Sequence, residues 1–105
     1  MGFSSSERVH VDIAYGTLAH ASRLLGRSMS VSRRGWCAEA LAIFAVGMHA
    51  LGEVEAHALS VPRARRGAKF NKKLDLVRVA ASRAEAAVHW CHGAVRRGEL
   101  VGRGM

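Results

Sequence analysis

The sequence predicts an all-α domain: three long helices in an antiparallel bundle, with room for a fourth short helix. Apolar residues recur at alternating three- and four-residue steps in separate stretches, the period of a helix buried on one side. The only proline, Pro62, stands between two of these stretches, where a helix must stop. No internal repeat is visible, and no segment reads as a βαβ unit. A chain of 105 residues makes one domain, spanning 1–105, large enough for a core without metal or disulfide staples.

The first helix is expected to start at Ser4-Ser5-Ser6-Glu7, whose Ser-x-x-Glu spacing fits a capping box. Val11, Ala14, Leu18, Ala21 and Leu25 form its apolar stripe, which points to an end near Gly26. A competing alternation, Val9, Val11, Ile13 and Tyr15, stops after four positions. Residues 27–35, with Ser28, Ser30, Ser32 and Gly35, read as a polar connection. The second helix is expected from near Gly35 to Ser60. Cys37, Leu41, Phe44, Met48 and Leu51 make one apolar stripe on it, and Trp36, Ala40, Ile43, Gly47 and Val54 another, so it is placed centrally between two neighbours.

Residues 61–70 form a basic connection. Asn71 is the expected N-cap of a third helix running to about Arg97. Leu74, Val77, Ala81, Ala84, Val88, Cys91 and Val95 give it the clearest periodicity in the chain, a seven-residue repeat suited to shallow-angle bundle packing. The tail 98–105 is expected to fray.

The apolar half of the composition rules out intrinsic disorder, collagen-like repeats and disulfide scaffolds. It is weighted to small side chains, with 18 Ala and 11 Val against 9 Leu, 2 Ile, 3 Phe and 2 Trp. The core is therefore thin, and another subunit or a second copy covering one face would help it. Trp36–Gly52 is apolar enough to approach a membrane span, but Glu39 and His49 interrupt it. A buried helix and no membrane partner are expected. No export signal is recognisable at the start, which places the protein in the cytoplasm with Cys37 and Cys91 as reduced thiols, disulfide-bonded only in an oxidising compartment.

The net charge of +8 is uneven. Residues 1–60 carry five basic and five acidic groups; residues 61–105 carry eleven basic groups against Asp75, Glu85 and Glu99. Arg63, Arg65, Arg66, Lys69, Lys72 and Lys73 fall within eleven residues holding no acid. Cations so crowded repel one another unless a polyanion neutralises them. Lys72 and Lys73 would also sit in the first turn of a helix, where the macrodipole disfavours cations. The candidate nucleic-acid contacts are therefore Arg63, Arg65, Arg66, Lys69, Lys72 and Lys73, extended by Arg78, Arg96 and Arg97 if these lie on the same side. No helix-turn-helix spacing fits, and Phe70 is the one aromatic in the basic stretch, so contact with the phosphate backbone of RNA or DNA is expected, without base reading.

His49, Glu53 and His57 recur every four residues on the second helix, and His89 and His92 lie close on the third. Together they could close a zinc site if the two faces met. The reading preferred here is hydrogen-bonded polar edges, with no metal and no cofactor. Arg83-Ala-Glu-Ala-Ala-Val-His89 resembles the Arg-x4–6-His motif of HEPN ribonucleases, which are helical and pair to form a composite site. Ala84 stands where that family commonly has a polar residue. The resemblance implies RNA cleavage as an alternative to a non-catalytic role.

In size, helical class and basic charge the whole chain resembles the small subunits of multi-subunit CRISPR effector complexes, which implies a stacked ribonucleoprotein component in antiviral defence. No motif carries that resemblance, so no residue role comes with it. A phage-encoded inhibitor that binds another protein, or a plasmid-borne DNA-binding protein, fits the same features.

Overall fold

The computed structural model of the protein describes residues 5–96. Four helices follow one another: α1 (Ser5–Arg33), α2 (Cys37–Ala58), α3 (Arg63–Arg66) and α4 (Ala68–Arg96). Of the described residues 91% are helical and none is in a strand, which makes the protein an all-α bundle. Ser4 of the expected capping box, Arg97 and the tail 98–105 lie outside the described residues.

The expected stripes face the core. On α1, Ala14, Leu18, Ala21 and Leu25 are buried; on α4, so are Leu74, Val77, Ala81, Ala84, Val88 and Cys91. Helix boundaries differ more. α1 does not end near Gly26 but continues to Arg33 through the segment expected to connect. Ser28 and Ser32 prolong the buried stripe at three- and four-residue steps. Each hydroxyl donates back to the carbonyl three residues earlier, Ser28 Oγ to Leu25 O at 2.7 Å and Ser32 Oγ to Met29 O at 2.8 Å. With the hydroxyl proton so placed, serine can be buried and polarity ceases to signal a loop.

The true end of α1 is a Schellman motif. Gly35 N donates to Ser32 O and Trp36 N to Val31 O, at 3.0 and 3.3 Å. The motif needs a left-handed residue, and Gly35 supplies it at φ 80°. Trp36 then packs on Val31 beside Ala40 and Val88.

α2 runs antiparallel to α1 and α4, which are parallel to each other. His10 of α1 accordingly meets His57 of α2, while Tyr15 lies 6.2 Å from Phe70 near the start of α4. The described residues form a rod 57 × 19 × 16 Å. Its centre is α1, not α2 as expected: α1 packs along α2 and also against α4, and α2 and α4 meet less. Close approach of α1 and α2 is set at Gly47, where an added Cβ would stand 3.2 Å from the side chains of both Leu24 and Leu25.

α2 is long and apolar enough to cross a membrane, yet only 33% of its most apolar window is buried in the bundle. Ala42, Ala45, Val46, Gly52 and Ala56 on its outer side are exposed. Both expected stripes of α2 are buried or half-buried and α2 meets both α1 and α4, while the remaining side, largely alanine, is exposed.

The expectation of reduced thiols is overturned. Cys37 at the start of α2 and Cys91 near the end of α4 are both fully buried and form a disulfide, with Cα atoms 5.4 Å apart. Each residue lies on a core-facing stripe, and the antiparallel course of α2 and α4 brings the two to the same level of the rod.

Candidate polyanion interface

The basic connection is folded. Val61 and Phe70 are buried at its two ends, and between them Arg63–Arg66 make the single turn α3, which starts at Pro62 and stops at Gly67. α4 therefore begins at Ala68, three residues before the expected N-cap. Asn71 caps nothing; its Nδ2 donates to Arg63 O at 2.9 Å and so ties α4 to α3.

Carboxylates remote in sequence meet some of the cations. Arg63 Nη2 donates to Asp75 Oδ2, Arg65 Nη1 to Glu7 Oε1 of α1 and Arg78 Nη2 to Glu55 Oε2 of α2, each at 3.2 Å; Arg78 also lies 3.7 Å from Asp75. The acid-free run of the sequence is thus partly neutralised in space. Seven cations (Arg63, Arg65, Arg66, Lys69, Lys72, Lys73, Arg78) face three carboxylates at this end, an excess of four.

Arg66, Lys69, Lys72 and Lys73 carry that excess. None of the four makes an ion pair among the described residues. Arg66 Nε is buried without an acceptor, and its guanidinium is held below the usual arginine range by desolvation first, then by the charges of Arg63 and Arg78, with Asp75 opposing. Lys69 and Lys72 are exposed and Lys73 is half-buried; because α4 starts at Ala68, Lys69 is in its first turn and Lys72 and Lys73 fall in the second, not in the first as expected.

Arg78 does not extend this face. Nine residues from Lys69, it lies about half a turn around α4 from it. Arg96 is exposed near the far end of α4, roughly 40 Å from Lys69 at the helical rise. Arg83 is the cation in phase with Lys69 and Lys72, at intervals of fourteen and eleven residues, and sequence reasoning singled it out only for the Arg-x4–6-His resemblance, not as a phosphate contact. Between and beyond these cations the same face exposes Leu76, Val79 and Trp90.

The histidines separate. His49 Nε2 lies 2.9 Å from Glu53 Oε1 on the open side of α2, whereas His57 turns to His10 of α1. His89 and His92 lie at the opposite end of the rod, on the last turns of α4. Among the described residues no three His, Cys, Asp or Glu side chains come together as a metal site, so the five-ligand arrangement does not form. Arg83 and His89 are both exposed, about a third of a turn apart around α4, and neither makes a hydrogen bond to another side chain among the described residues.

Compared with known protein families, with curated proteins and with solved structures, the chain matches none.

Proposed function

We propose that the protein is a non-catalytic binding subunit that takes the phosphate backbone of a nucleic acid against the α3–α4 end, without reading sequence, inside a larger assembly. One observation carries the reading: Lys69, Lys72 and Lys73 crowd the first two turns of α4 with no carboxylate partner, although Glu7, Glu55 and Asp75 already serve their neighbours. Lys69, in the first turn, lies at the positive end of the helix dipole, a placement the fold disfavours unless an anion offsets it. The paired arginines of α3, Arg63 and Arg65, remain usable, because exposed ion pairs are worth only about 0–1 kcal/mol and can be exchanged for phosphate. Exposed Leu76, Val79 and Trp90 support association with other protein subunits.

The test is fluorescence anisotropy with single- and double-stranded RNA and DNA of unrelated sequences across a salt series. Replacing Lys69, Lys72 and Lys73 by Gln is expected to weaken binding alike for every sequence and to lower the salt slope by about 2–3. Unchanged affinity in the triple variant, or no binding by the parent protein, refutes the proposal.

A further inference from the structure

We infer that His10 and His57 form a binding site for a divalent transition-metal ion of the imidazole-preferring class. The two residues are 47 apart in sequence and lie on different helices, yet their Nδ1 atoms are 3.1 Å apart and their rings 5.4 Å between centroids. Two metal–nitrogen bonds of about 2.0–2.1 Å at a tetrahedral angle hold their nitrogens about 3.3 Å apart. The observed separation matches that bite to within a few tenths of an ångström. Neither imidazole has another hydrogen-bond partner among the described residues, and both are half-buried, which leaves open coordination positions for water or an incoming ligand.

Local electrostatics permit the ion. His57 is in the last turn of α2, where the carbonyl end of the helix favours a cation. Ser60 Oγ donates to His57 O at 2.6 Å and fixes the turn. Glu7 stands one turn before His10, and the Arg65 guanidinium 3.2 Å from it offsets part of its charge. With two protein ligands the site is open and exchangeable, unlike a closed structural zinc site. A bound ion would clamp the start of α1 to the end of α2.

A plain hydrogen bond, one Nδ1–H donating to the other Nδ1, gives the same distance, and zinc titration separates the two. Zinc chloride is added in excess to the disulfide-bonded protein, with bound metal read by equilibrium dialysis and unfolding by circular dichroism. One equivalent of zinc and a melting temperature that rises with zinc concentration are expected. His10→Ala and His57→Ala should each lose both, while His49→Ala and the double variant His89→Ala/His92→Ala keep both. Should the α1–α2 variants fail to fold, imidazole nitrogen NMR of the parent protein decides: zinc must shift the resonances of His10 and His57. Absence of bound zinc, its retention by both single variants, or shifts confined to His20, His49, His89 or His92 overturns the inference.

Discussion

Breaking the Cys37–Cys91 bond is expected to cost the fold about 4 kcal/mol. The bridged residues are 54 apart, and closing a loop of that length removes about 14 cal/mol/K from the unfolded chain, which is about 4 kcal/mol at 25 °C. With an unfolding entropy of about 2.1 cal/mol/K per residue, a domain of this size should melt roughly 20 °C lower once reduced. The comparison is between oxidised protein, protein held in a phosphine reductant, and Cys37→Ala/Cys91→Ala, each melted under far-ultraviolet circular dichroism with free thiols titrated in parallel. Both sulfurs are fully buried, so reduction of the native protein should be slow and should accelerate in denaturant. Two reactive thiols in freshly isolated, unreduced protein would refute the bond itself. Full reduction with the midpoint moved by no more than a few degrees would refute the loop-entropy argument.

Two further outcomes test the phase of α4 and the cost of its neighbouring charges. Leu74→Ala should cost about 2–5 kcal/mol in urea unfolding, whereas Leu76→Ala, two residues away and 58% exposed, should stay within about 0.5 kcal/mol; equal effects would mean that α4 is rotated from the position described. Arg66→Met removes a donor without an acceptor and a charge that Arg63 and Arg78 repel, so the urea midpoint should rise, for a gain in unfolding free energy of up to about 1 kcal/mol. The sign follows from the lowered Arg66 pKa: the charged form is less favourable folded than unfolded, and substitution relieves that below the arginine range. A lower midpoint would show that Arg66 is a structural contact.

Periodicity made the helices and most of their buried faces legible. Ala14, Leu18 and Leu25, and Leu74 through Cys91, were placed by spacing alone, because a helical stripe is a local property of the chain. Local polarity and glycine misled where a tertiary contact decides. Gly26 lies inside α1, Ser28 is buried through its own helix, and Gly67, rather than Asn71, marks where α4 begins. The candidate site fared the same way: the cationic run was plain, but Glu7 and Glu55 reach it from α1 and α2, and no spacing rule joins residue 7 to residue 65. His10 and the cysteine pairing were invisible for that reason. Each partner lies on an ordinary stripe, and only the up-down-up course of the helices aligns them.

The bridge from residue 37 to residue 91 also changes what a cut in the chain does. α2, α3 and α4 form a covalently closed ring, with α1 entering it as a tail at Cys37. A protease that cleaves after an exposed arginine of α3 opens the ring without releasing either piece. The nicked molecule should run as one band on a denaturing gel and part into two only when reductant is added. New chain ends at the cationic corner can therefore be introduced, by cleavage or by circular permutation, while the helices on either side stay tethered.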